Sequence, residues 1–190
     1  MFSLRKATPA DQPAIEHVMR ESLRRLGKPA YDEQQIASSL RSIAQADTQL
    51  IDDGTYFVAV ADGDVVACGG WSRRGKLYSG SAAQGGEARM LDPRSEAARI
   101  RAFFTLPEWA RRGIGRAILD ACEAEIAAAG FQRIELMAML SGGEALYLKC
   151  GYTPVERTNI ILEDGTPLGT TVMRKSLDVP PQRAHEREQQ

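Results

Sequence analysis

The run Arg111-Arg112-Gly113-Ile114-Gly115-Arg116 is the part of this chain best equipped for chemistry, and that chemistry is the binding of a diphosphate. Gly113 and Gly115 remove side chains where backbone must come close to a ligand. An apolar-periodic helix is predicted to start at Gly113, and the first amides of a helix have no partner inside it. That end of a helix also carries a partial positive charge of about +0.5. Arg111, Arg112 and Arg116 add whole charges to it. Two other phosphate loops are excluded by single residues. A dinucleotide GxGxxG turn needs a small residue at 118, where Ile118 stands, and a triphosphate loop needs Gly-Lys-Ser/Thr, which is absent.

Other reactive residues are few. The chain of 190 residues has two histidines, His17 and His185, and three cysteines, Cys68, Cys122 and Cys150, without a CxxC pair. This argues against a zinc centre and against histidine triads, so no metal is expected. The cysteines sit among apolar or small neighbours and read as reduced packing residues. A net charge of −1 gives no general pull toward nucleic acid or an anionic membrane, so an anion site must be local. No run approaches the ~20 apolar residues that span a bilayer, and Met1–Pro13 lacks a secretory apolar stretch; the cytoplasm is the expected compartment.

The elements that must position the loop follow from period and punctuation. Residues 2–7 read as a strand, and Thr8-Pro9-Ala10-Asp11 as a helix start leading into Ile15, Val18, Met19, Ser22 and Leu26 at helical spacing. A second helix is predicted over 32–45, with Ile36, Leu40 and Ile43 inward and Asp32 as cap. Tyr56–Ala61 and Val65–Trp71 flank Asp62-Gly63 as a hairpin. Residues 72–95 have no clear period and form a long loop. Ala98–Leu106 is a strand ended by Pro107. In helix 113–129, Ile114, Ile118, Cys122 and Ile126 recur every fourth residue, and Gly130 caps it. A strand over 133–139, a short helix over 142–149 and a hairpin around Asp164-Gly165 complete one domain, 1–177. The polar tail 178–190 reads as disordered. The order βααββ-loop-βαβαββ predicts an α/β (α+β) mixed sheet, with helices on both faces.

Two segments carry a family resemblance. Phe104-Thr105-Leu106-Pro107-Glu108-Trp109-Ala110-Arg111-Arg112-Gly113-Ile114-Gly115-Arg116-Ala117-Ile118-Leu119 resembles the principal acetyl-CoA motif of the GNAT superfamily of N-acetyltransferases. Ala145-Leu146-Tyr147-Leu148-Lys149-Cys150-Gly151-Tyr152 resembles that family's later aromatic segment. The likeness is close over 97–156 and loose over 2–175. It departs at Ala110, where the family has Gln or Arg, and at Leu140-Ser141, where it often has an asparagine.

The resemblance implies a GNAT-like fold: a mostly antiparallel central sheet in which strands 98–106 and 133–139 form a splayed parallel pair, with a bulge near the end of the first. It implies acetyl-CoA as co-substrate, its pantetheine arm against backbone groups of Phe104 and Leu106 and its pyrophosphate on Arg111, Arg112, Gly113, Ile114, Gly115 and Arg116. An amide of Phe104 or Thr105 is the expected stabiliser of the carbonyl oxygen. Tyr147 is the expected proton donor to the leaving thiolate. Phenol and thiol acidities differ by roughly 2 kcal/mol, a gap a positioned donor can bridge. Glu87, Asp92 and Glu108 are candidate bases, and loop 72–95 a candidate lid over the acceptor. The implied activity is N-acetylation of a primary amine on a small molecule or peptide, with a homodimer through the final hairpin left open. The alternatives are a non-catalytic acyl-CoA module of the same fold, or a different acyl donor or acceptor in a pocket around Phe103, Phe104 and Trp71.

Overall fold

The structure is a computed structural model, and it describes residues 1–76 and 89–177. Strand β1 (Ser3–Lys6) leads through a tight turn, Pro9–Asp11, into helix α1 (Gln12–Leu26). Asp11 holds that turn by accepting from both the N–H and the hydroxyl of Thr8, at 2.7 and 2.9 Å. Helices α2 (Glu33–Ser42) and α3 (Thr48–Asp52) follow, capped by Asp32 and Asp47, whose carboxylates accept from the amides of Gln35 and Leu50. Helix α3 is an addition to the predicted order. Five residues are too few to show a period.

The hairpin of β2 (Tyr56–Ala61) and β3 (Asp64–Ser72) forms as predicted, with Asp62 and Gly63 both at positive φ in the turn. Next come β4 (Ala98–Thr105), α4 (Ile114–Ala128), β5 (Arg133–Met139), α5 (Gly143–Lys149), β6 (Thr153–Ile161) and β7 (Pro167–Ser176). The described residues form a seven-stranded sheet in the order β1-β2-β3-β4-β5-β7-β6. β4 and β5 are its parallel pair; the other neighbours are antiparallel. α4 buries Ile114, Ile118, Leu119, Cys122 and Ile126, the predicted stripe. Each such side chain contributes about 1.5–3 kcal/mol when fully buried. α4 covers one face, where Glu125 accepts from the Trp71 indole at 2.7 Å. α1–α3 cover the other, where Leu50 packs on Gly70. The three cysteines are free and buried.

The sheet is two sheets joined by a short seam. β4 stays on β3 as far as Thr105 opposite Ala67. β5 stays on β7 along its whole length, from Arg133–Ser176 to Met139–Thr170. Between β4 and β5 only Ala98–Ile134, Arg99–Glu135 and Ile100–Leu136 pair, and beyond them the strands part. The parting starts where β4 carries one residue more than β3: Gly70 faces Arg101, whereas Cys68 faces Phe104. Ala102 takes the extra place at φ 60. The expected bulge is therefore present, but in the middle of β4 rather than near its end.

The base of the loop at 72–95 is ordered. Arg74 and Met90 form an isolated antiparallel bridge, and Leu91 donates to the Arg73 carbonyl at 2.8 Å. The middle of this candidate lid, 77–88 with Glu87, lies outside the described residues, as does the tail from 178.

Candidate active site

The gap between β4 and β5 opens into a cleft of about 620 Å³ that passes through the sheet. Of the residues singled out in the sequence, Phe104, Thr105, Arg111, Gly113, Ile114, Gly115, Arg116 and Tyr147 all line it. Leu106 and Arg112 do not. Leu106 is buried in the core, and the Arg112 guanidinium stacks over Trp109, 4.8 Å from the ring centre.

The loop and the helix end are shaped by two left-handed residues, Arg111 at φ 64 and Gly113 at φ 82. For a non-glycine residue such as Arg111 this costs of order 1–3 kcal/mol, and it turns the chain sharply into α4. The Ala117 amide is the first to bond back within the helix, to Gly113 at 3.0 Å, so the amides of Ile114, Gly115 and Arg116 are left to face the cleft. At Gly115 a Cβ would stand 3.0 Å from a methyl of Leu146 on α5. The absence of a side chain there keeps the amides reachable. This cradle fits a diphosphate: bare amides, a helix N-terminus, and Arg111 and Arg116 beside them.

Along β4 the register decides which backbone groups reach the cleft. Leu106 donates to the Val66 carbonyl at 2.9 Å, and its own carbonyl accepts from Trp109 at 2.9 Å. Peptide groups alternate sides along a strand. The N–H and C=O of Phe104 and the N–H of Leu106 therefore face β3, the Leu106 carbonyl is taken by the turn that follows, and the backbone groups of Thr105, with the carbonyl of Phe103, face the widening gap. The expectation that Phe104 and Leu106 offer free backbone groups is corrected by one residue.

Tyr147 is buried at 6% exposure, with its ring edge-on to Phe103 (6.3 Å between centroids) and to Tyr152 (5.6 Å). Its hydroxyl has no hydrogen-bond partner among the described residues. Burial pushes its acidity well below that of an ordinary phenol, with Cys122 and Cys150 adding to the shift. The group stays protonated over the whole neutral range.

Two candidate bases are placed elsewhere. Asp92 holds the turn after the loop by accepting from the Arg94 amide and the Ser95 hydroxyl. Glu108 is exposed and 3.4 Å from Arg25. Neither lines the cleft. Glu135, at the seam, bonds Arg99 and Arg174. Among the described residues that line the cleft there is no carboxylate and no imidazole. Trp71 also lies outside it, its indole committed to Glu125.

Sequence reasoning did not assign Ser22, Leu23, Leu26, Ile43 and Arg101 to the site. They form its lining on the α1–α3 side. Ser22 and Leu26 recur at helical spacing and Ile43 is expected inward, but a period cannot separate a core face from a cleft wall. Arg101 is buried, with Nε 2.7 Å from Asp47 and Nη1 donating to the Lys76 carbonyl at 2.8 Å. Among the described residues no cluster of His, Cys, Asp or Glu could hold a metal ion, and no helix is long and apolar enough to cross a membrane.

The split parallel pair with an amide cradle at its mouth is the arrangement that the resemblance implies. The Acetyltransferase (GNAT) family description matches residues 17–152, most of the chain, and the protein belongs to that family. Among solved structures it resembles a GCN5-related N-acetyltransferase from Rhodopseudomonas palustris, with TM-score 0.69 and 21% identity over 92% of this chain and 95% of the other. It also resembles the PaiA N-acetyltransferase from Thermoplasma acidophilum, solved in complex with coenzyme A, with TM-score 0.65 and 17% identity over 93% and 99%. A third is the ribosomal-protein-S18-alanine N-acetyltransferase of Escherichia coli, with TM-score 0.57 and 16% identity over 96% and 98%. At these identities the likeness is one of fold. No curated protein matches the sequence.

Proposed function

We propose that this chain is an acetyl-CoA-dependent N-acetyltransferase that acts on a primary amine by direct attack in a ternary complex. The observation that carries the proposal is the seam: three paired residues, then a split into a cleft lined by Thr105, the start of α4 and Tyr147. Family membership and the coenzyme A bound to the PaiA relative support the same reading.

In this reading acetyl-CoA supplies the activated acetyl thioester. The amides of Ile114, Gly115 and Arg116 hold its pyrophosphate, with Arg111 and Arg116 as counter-charges. Thr105 and the Phe103 carbonyl pair with the pantetheine arm, and the Thr105 N–H is the β4 amide available to the carbonyl oxygen. The acceptor's lone pair forms the new C–N bond as the C–S bond breaks with its electrons on sulfur. The sulfur takes a proton from Tyr147, and the proton lost by nitrogen leaves through water, which restores the tyrosine. Holding both reactants in one cleft supplies much of the rate. Domain 1–177 acts as one unit in the cytoplasm.

Calorimetric titration of acetyl-CoA tests this. Binding in the micromolar range is expected. Arg116→Glu is expected to weaken it about tenfold, or about 1.4 kcal/mol. It should leave stability within about 0.5 kcal/mol, because the Arg116–Asp120 pair is exposed. No binding to the unmodified protein overturns the proposal.

A further inference from the structure

Resting on the acetyl-transfer reading, we infer that the acceptor is a weakly basic primary amine on an apolar body, one with an appreciable neutral fraction near neutral pH. The amine must reach the acetyl carbon from the side of the cleft opposite the α4 cradle. That side is walled by Leu23, Leu26 and Ile43, with Ser22 as a neutral polar group. Its ionic group among the described residues is Arg101, whose charge is already matched by Asp47 at 2.7 Å. The side chains of that pair are 2% and 6% exposed, so it is sealed from solvent as a unit.

The remaining titratable groups around the split are no better suited to an ammonium. The Cys68 thiol on β3 and the Tyr56 hydroxyl on β2 both stand against the Ala102 carbonyl, at 3.7 and 3.3 Å, and burial keeps both protonated. Tyr147 faces from α5 as a neutral phenol. Arg111, Arg116 and Lys149 at the other end are cations. An alkylammonium entering here would shed its water without gaining a counter-charge from the described residues, which is strongly unfavourable. A less basic amine reaches its neutral form at lower cost, and that form has its lone pair free to attack.

The expected discrimination is large. An α-amine titrates near 7.7–8.0 and an alkylamine such as a lysine side chain near 10.4, so at pH 7 their neutral fractions differ by roughly 300-fold. Leucinamide and 3-methylbutylamine carry the same isobutyl group on amines of these two kinds. We expect kcat/KM at pH 7, with saturating acetyl-CoA, to be at least about a hundredfold higher for leucinamide. Its profile should level near pH 8, while that of 3-methylbutylamine should still climb tenfold per pH unit at pH 9.5.

Comparable kcat/KM for the two amines at pH 7 would overturn the inference, since it would reveal a base at the site. So would a 3-methylbutylamine profile that flattens near pH 7, or turnover of neither amine by protein that binds acetyl-CoA. Calorimetry on the same preparation separates these results from failure of the acetyl-transfer reading, which would appear as loss of acetyl-CoA binding itself.

Discussion

The ring of Phe103 lies flat on Gly69, so close that a Cβ at Gly69 would stand 2.6 Å from Cδ2 of the ring. This contact sets the two-for-one mismatch between β3 and β4. Gly69 leaves a recess in β3, Phe103 fills it, and Ala102 is thrown into the left-handed conformation beside it. The same ring meets Tyr147 across the cleft.

Gly69→Ala is therefore expected to act at two levels. The ring must lift, which destabilises the fold by about 1–3 kcal/mol as overpacking does. It lifts into the cleft, so acetyl-CoA affinity should fall about tenfold. Urea unfolding and calorimetry measure the two effects. Lost stability with unchanged affinity would show that Phe103 does not shape the acyl path.

Tyr147→Phe removes one oxygen from a packed ring. We expect kcat to fall about a hundredfold, in the range of one general-acid contribution, with the acetyl-CoA Kd within about twofold. Since burial raises the pKa of the donor, its active protonated form persists as pH rises. No alkaline loss of kcat is expected between pH 8 and 10. A fall centred near pH 8 would assign the donor role to another group.

Arg101 and Asp47 form a buried pair, so removing one partner strands the other. Arg101→Met is expected to cost about 3–5 kcal/mol in urea unfolding. Adding Asp47→Asn, which neutralises the stranded carboxylate, should restore part of that. Additive losses would mean that the two residues act independently.

Tyr56, Tyr147 and Tyr152 all have folded-state pKa values raised, first by burial. In the unfolded chain they titrate near 10. Their contribution to stability is fully present below that pH and is lost as pH rises above it, because only the unfolded chain releases the protons easily. The urea midpoint should hold between pH 8 and 9.5 and drop above 10, with tyrosinate absorbance rising together with unfolding.

Much of the fold was legible because it rests on local physics. The four-residue recurrence of Ile114, Ile118, Cys122 and Ile126 marks a stripe whichever face it meets. Asp62-Gly63 and Asp164-Gly165 suit their turns through conformational preference alone. The cradle was legible for the same reason: helix-end amides, two glycines and adjacent arginines are all sequence neighbours. Its detailed membership was not. Arg112 neighbours Arg111 in sequence, but its guanidinium lies over Trp109 and does not line the cleft. Asp92 and Glu108 were read as candidate bases, yet nearby partners hold them outside the cleft.

By itself, then, the sequence determined the main strands and longer helices, the helix stripes, the turns and the glycine-rich start of α4, since each depends on residues close to one another in the chain. Only the tertiary structure decided where β4 leaves β5, which backbone groups face the gap, and that Arg101 is already paired with Asp47, 54 positions away. Those outcomes depend on strand register and on contacts between distant segments. A one-residue bulge at Ala102 shifts that register, and no local pattern in the sequence records which strand will face it.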